Sequence, residues 1–199
     1  VTDLANPATT ITVTGVSELT TYNVIVQDVD PTGNNNNNMT VVTLTTGDLT
    51  PPTFNGLTSL ALGNPADTKI IVSFTAIARE GTGDAGAATG ASSYLIYTSY
   101  VTYDGVTEPA NSCTAGTLYG GAAISSAAYA PGAQTITLTG LLPRRKYSVC
   151  MKAQDLAGNV STTNNPQTIT TLDVTAPSFN GSQGISFNNV SGLLTVLWN

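Results

Sequence analysis

Short stretches of alternating apolar and polar residues, each broken by turn formers, recur along the chain. Residues 135–139 alternate Thr with Ile136 and Leu138, the period of a half-buried strand. Farther on, Tyr147, Val149, Met151 and Ala153 alternate with Ser148, Cys150 and Lys152. The first set is expected to face a core and the second to face outward. Apolar β-runs over residues 69–75, 94–98 and 192–198 predict three more strands, and residues 168–171 a closing one. About seven short strands separated by turn residues predict an all-β chain, folded as sandwiches of two antiparallel sheets.

The pattern repeats. Thr10-Ile-Thr-Val-Thr-Gly15 matches Thr135-Ile-Thr-Leu-Thr-Gly140, and Tyr22 matches Tyr147. Asp30-Pro-Thr-Gly-Asn34 matches Asp155-Leu-Ala-Gly-Asn159, and Phe54-Asn-Gly56 matches Phe179-Asn-Gly181. Positions 10 and 135, 22 and 147, 30 and 155, and 54 and 179 each differ by 125. A single offset across all these landmarks marks an internal repeat with a period of about 125 residues.

Asp48-Leu-Thr-Pro-Pro52 and Asp173-Val-Thr-Ala-Pro177 carry proline where a strand cannot continue in a ladder, as an interdomain joint should. The expected organisation is the C-terminal part of a first repeat (1–47), a complete repeat (48–175) and the N-terminal part of a third (176–199). Val1 opens the chain without a Met, so a segment of a longer protein is expected. An alternative is that the two partial repeats pair head to tail between successive molecules, making an open filament.

Composition narrows the function. Of the 199 residues 34 are Thr, only 9% are charged and none is His. Threonine favours strands, and Asn, Gly and Ser favour turns. Without histidine the commonest general base and metal ligand are missing, and no Ser-His-Asp or Cys-His constellation can form. The acid pairs Asp28 with Asp30 and Glu80 with Asp84 read as solvated loop acids. A net charge of −6, with Arg144, Arg145 and Lys146 as the sole basic cluster, argues against nucleic acid or anionic membrane as partner. No apolar run is long enough for a spanning helix, so no direct membrane insertion is expected of this segment.

Cys113 and Cys150 are the two cysteines. A disulfide fits an exported protein of the extracellular space or cell surface; two free, partly buried thiols are the alternative.

The residues resemble the fibronectin type III family of Ig-like sandwiches, in the form common in repeated bacterial surface proteins. The family's Leu-x-Pro-x-Thr-x-Tyr pattern before its sixth strand is met by Leu141, Pro143 and Tyr147, with Arg145 in place of Thr. The first copy keeps Thr20 and Tyr22, with Val16 and Glu18 in place of Leu and Pro. The resemblance implies that Tyr22 and Tyr147 are tyrosine corners. It also implies that Trp198 is the core Trp of a second strand, with Phe74 as its counterpart. The complete repeat is about 30 residues longer than the usual family domain. The excess is an insertion near 79–134, in Gly/Ala/Ser-rich stretches over 81–93 and 110–131. From an outward position on the sixth strand, Cys150 would tether that insertion through Cys113.

Three further features are candidates for binding. Asp48, Asp155 and Asn159, brought together at the joint by the family's geometry, are calcium candidates, with a hairpin turn as the plainer reading of Asp-x-x-Gly-Asn. Tyr94, Tyr97, Tyr100 and Tyr103 are candidates for a sugar- or protein-binding face. Asn34 to Asn38 form a polyasparagine loop, and Asn38, Asn159, Asn180 and Asn189 open glycosylation triplets. The leading expectation is a non-catalytic structural repeat of an extracellular fibre, filament or surface stalk, partnered by neighbouring repeats or copies of itself. The alternatives are an adhesin or receptor segment engaging a host or cell-surface protein or glycan through the insertion, and a spacer of a secreted polysaccharide-degrading enzyme.

Overall fold

The computed structural model describes residues 10–79 and 90–198. The chain is all-β, and its named strands pair antiparallel. Strands β1 (Thr21–Val24) and β2 (Val42–Thr45) pair with each other. Strands β3 (Leu57–Leu62), β4 (Ile70–Ala76), β5 (Ser93–Thr102), β6 (Thr117–Leu118), β7 (Ile124–Ser125), β8 (Gly132–Leu138), β9 (Arg145–Gln154) and β10 (Gln167–Thr170) build two sheets. One has the order β3-β4-β8; the other has the order β10-β9-β5-β6, with β7 also on β5. Strands β11 (Ser182–Asn188) and β12 (Leu193–Trp198) form a C-terminal hairpin. The only α-helical piece among the described residues is a single turn, α1 (Ser112–Ala115).

Both sheets contribute to one core. Ile70, Val72, Phe74 and Ala76 of β4, with Ile136 and Leu138 of β8, bury against Tyr94 and Ile96 of β5 and Tyr147, Val149 and Met151 of β9. Each buried side chain of this size contributes about 1.5–3 kcal/mol of transfer free energy. Phe74 meets Tyr94 edge-on at 5.1 Å between ring centroids, and Phe54 and Tyr129 complete the aromatic cluster. The period-2 alternation read from residues 135–139 and 147–153 is therefore what aims the core side chains.

The opposite face of β9 corrects one expectation. Ser148 and Cys150 point away from the core yet are buried. The insertion covers them: α1 places Cys113 against Cys150 in a disulfide, with Cα atoms 5.1 Å apart. Beside it, the Ser112 and Ser148 hydroxyls share a hydrogen bond of 3.0 Å. Lys152 is half-buried on the same face.

Geometry recurs at the sequence offset. Tyr147 Oη accepts the Leu142 amide hydrogen at 2.8 Å, and Tyr22 Oη accepts that of Ser17 at the same distance. Thr171 Oγ1 donates to the Leu142 carbonyl and accepts from the Arg145 amide; Thr46 Oγ1 does the same with Ser17 and Thr20. Arg144 and Leu19 both take a positive φ, 53° and 51°. Strand β1 pairs with β2 as β9 pairs with β10: Thr21 faces Thr45, and Lys146 faces Thr170. The C-terminal hairpin repeats β3–β4 down to its irregularity. Val72 faces Leu60 as Val196 faces Ile185, and the register shift between Leu57 and Ser59 returns between Ser182 and Gly184.

One matched segment differs. Residues 135–138 lie in β8, paired to β4, whereas the near-identical residues 10–14 form no strand. A strand needs a partner for its backbone groups, and among the described residues nothing pairs with residues 10–14.

Candidate functional site

Candidate side chains gather around the Pro-bearing stretches at 48–52 and 173–177 and between residues 90 and 134. Ahead of the first joint, Glu18 reaches across to the linker: its carboxylate accepts the Leu49 amide at 2.9 Å and the Thr50 hydroxyl. The Thr50 hydroxyl first, and the Leu49 amide next, hold the Glu18 carboxyl below its ordinary range. From the other side, Asn159 Nδ2 donates to the Asp48 carbonyl at 3.2 Å. Residues 48–50 are thus held from both neighbours. The matching turn at the second joint is simpler, with the Thr175 amide donating to Asp173 Oδ1 at 3.2 Å.

Asp155 and Asn159 form a closed turn. The Asn159 amide donates to Asp155 Oδ1 at 2.7 Å, its side-chain nitrogen to Asp155 Oδ2 at 2.8 Å, and Gly158 takes φ 96°. Asp30 and Asn34 make the same pair of bonds, at 2.9 and 3.0 Å. Asn159 therefore turns an N–H donor, not an oxygen, toward both Asp155 and Asp48. A hard cation needs oxygens in that position. Asp48 Oδ2 is buried with no hydrogen-bond partner, but the described residues hold no group of three or more His, Cys, Asp or Glu side chains able to take a metal. The geometry there is that of a hydrogen-bonded turn tied to a linker.

The four tyrosines do not share a face. A recurrence of three on a strand of period two sends successive members to opposite sides. Tyr94 lies wholly inside the core, where burial pushes its hydroxyl above the ordinary phenol range and that hydroxyl accepts the Ile77 amide at 3.0 Å. Tyr97 sits on the other side, across from Cys150 on β9 and Leu118 on β6. Tyr100 returns to the side of Tyr94 and packs on the Tyr147 ring at 5.2 Å, with half its surface exposed. Tyr103 follows the strand and is exposed. The expected common aromatic face is absent because strand geometry divides it.

Among the residues expected in the core, Tyr147 and Phe74 are buried, at 2% and 1% exposure, and Tyr22 is half-buried. Trp198 is not in a core: it is 66% exposed. Its hairpin repeats β3–β4, but no second sheet lies over it among the described residues. The same holds at the other end, where Ile11, Val13, Val24 and Leu44 are exposed.

A cleft of about 450 Å³ beside the first joint, lined by Pro51, Pro52, Phe54 and Thr163 among others, has no ionisable side chain in its wall. Glu80 and Asp84 lie outside the described residues, whereas Asp28 is exposed and takes part in the loop through its carbonyl, which accepts the Asn36 amide. The polyasparagine run closes on itself: Asn35 and Asn36 side chains accept the Asn37 and Asn38 amides, and Asn38 Nδ2 donates to the Val26 carbonyl. Two groups escaped the sequence reading, the Thr46 and Thr171 hydroxyl clamps and the Glu18 tie. The clamps carried a signal, since both lie at the repeat offset; Glu18 carried none, because Pro143 stands at its counterpart.

No helix among the described residues is long and apolar enough to cross a membrane. No protein-family model and no curated protein matches the chain.

Proposed function

We propose that this chain is a non-catalytic structural module of an extracellular fibre, filament or surface stalk. It is built from tandem fibronectin type III-like β-sandwiches repeating every 125 residues. The observation that carries this reading is the recurrence of one hydrogen-bond framework at that offset. Tyr22 and Tyr147, Thr46 and Thr171, and the Asp30–Asn34 and Asp155–Asn159 turns make matching bonds. Two sheets sharing one core support the sandwich. A linker held from both neighbours supports a chain in which each unit mainly contacts the next. The disulfide supports an oxidising, extracellular setting.

The test is negative-stain electron microscopy of the source material with antibody raised against residues 48–175. Regularly decorated fibres or stalks are expected. Label on soluble particles alone would overturn the structural role. In that case the disulfide-pinned insertion, with Tyr103 and Val106 exposed beside it, becomes the surface to test for an adhesive role on a protein or glycan.

A further inference from the structure

We infer that the Cys113–Cys150 bridge is a site of thiol exchange, at which a small external thiol bonds to Cys113 and Cys150 leaves as a thiolate beside Lys152. Lys152 stands two residues beyond Cys150 on β9. The two side chains therefore leave the strand on the same face, with Cα atoms about 7 Å apart, a distance that a lysine stem spans. Across on β5, Leu95 faces Lys152 and Tyr97 faces Cys150, so no carboxylate stands opposite either. The other lysine of that face, Lys146, is taken by Glu108. Lys152 is half-buried and has no ion-pair partner among the described residues. A cation held beside a sulfur favours its thiolate, and a less basic thiolate leaves a disulfide faster.

The placement of the two sulfurs sets the direction of attack. Cys150 lies in the sheet with no exposure, and Cys113 sits over it on α1 with 8%. A thiolate arriving from solvent along the line of the two sulfurs meets Cys113 first; reaching Cys150 from behind would require passage through β9. The external sulfur then bonds to Cys113 Sγ, the bond between the two cysteines breaks, and its electron pair stays on Cys150 Sγ. The attacking thiol has given its proton to water. The narrow opening at Cys113 admits a small thiol. A second oxidised copy has none to offer, because both cysteines are paired.

Exchange would free a flap without unfolding the core. In residues 104–116 only Ser112 and Cys113 are buried, and none of these residues belongs to the core cluster. Apart from the bridge, polar contacts hold the segment down: Glu108 to Lys146, the Ser99 hydroxyl to the Ala110 carbonyl, Asn111 to Asn164, and Ser112 to Ser148. All but the last are at exposed positions, where water competes for them. With the bridge open, residues 104–116 are expected to lift and uncover Ser148 and Cys150, while β4, β5, β8 and β9 stay packed.

The experiment treats the oxidised full chain with reduced glutathione in the absence of denaturant, quenches early time points with acid, and maps the adduct by mass spectrometry of peptides. One glutathione on Cys113 and a free thiol on Cys150 are expected. An adduct on Cys150, or none until the chain is globally unfolded, would overturn the inference. Iodoacetamide added to the folded adduct should alkylate Cys150; alkylation only in denaturant would show that the flap stays shut. Lys152→Gln is expected to slow the first exchange about fivefold. Lys69→Gln, the same loss of charge on the turn before β4, should leave the rate as it is. Lys152→Arg, which keeps the charge, should stay near the unmodified rate. Exchange in Lys152→Gln as fast as in the unmodified chain, or Lys152→Arg slowed as much as Lys152→Gln, would remove the cation from the account.

Discussion

The hydroxyl of Tyr147 accepts the backbone N–H of Leu142, five residues earlier, at 2.8 Å. The ring is buried and the Leu142 amide has this oxygen as its partner, so the corner joins a loop to the core through one atom. Tyr147→Phe keeps the ring and leaves that N–H without its acceptor. A loss of about 1–2 kcal/mol is expected in denaturant unfolding. Tyr22→Phe removes the same bond at a half-buried site, where water can replace it, and should cost less. Equal losses would show that burial does not set the worth of the corner.

Thr171→Val tests the neighbouring clamp. The wild-type hydroxyl serves both the Leu142 carbonyl, at 2.7 Å, and the Arg145 amide, at 3.0 Å, at a position with 1% exposure. Valine matches the shape and satisfies neither group. The expected loss is about 2–3 kcal/mol, read as a lower denaturation midpoint at unchanged slope. A near-neutral variant would mean that water or a shifted backbone replaces the hydroxyl.

Asn159→Ala removes the donor shared between Asp155 and the Asp48 carbonyl. A loss of about 1–2 kcal/mol is expected, because one of these bonds goes to a carboxylate. The melt of the unmodified chain should not respond to a calcium chelator, since an amide nitrogen fills the space between the two residues. A chelator-sensitive melt would return Asp48 and Asp155 to a cation.

Two exposed carboxylates titrate low. Hydrogen bonds from the Asn34 side chain, then from Thr32, hold Asp30 at about 2, and the Thr107 hydroxyl, then its amide, holds Asp104 at about 2. Both folded values lie below the ordinary 3.8, so the ionised forms favour the folded loops. That contribution is complete above about pH 4 and is lost as the pH falls through 2. Carboxyl chemical shifts followed by NMR should show midpoints near 2 for these residues. Midpoints near 4 would mean that the loops are open in solution.

The parts of the fold legible in the sequence are those with a period. Alternation at 147–153 identified the core side of β9, and the offset of 125 aligned Tyr22 with Tyr147 and Asp30–Asn34 with Asp155–Asn159, pairs whose hydrogen bonds match. Where sequence reading failed, the cause was a second layer that periodicity does not encode. Alternation says that Ser148 lies opposite Tyr147, but not that α1 buries it there. The family pattern assigns Trp198 to a core, but burial needs a facing sheet. Residues 10–14 have the composition of a strand, and without a partner they are not one.

The bridge between Cys113 and Cys150 spans 37 positions of chain, and it bears on how far the molecule can be drawn out. Fully extended, that stretch would add about 120 Å of contour length, and the covalent link withholds it. In single-molecule extension the oxidised chain should therefore lengthen by about 120 Å less than the reduced one. The redox state of this one cysteine pair would then fix the maximum reach of the chain. At the offset of 125 Ile25 stands where Cys150 does, and residues 1–47 contain no cysteine, so no such bond sets a limit there.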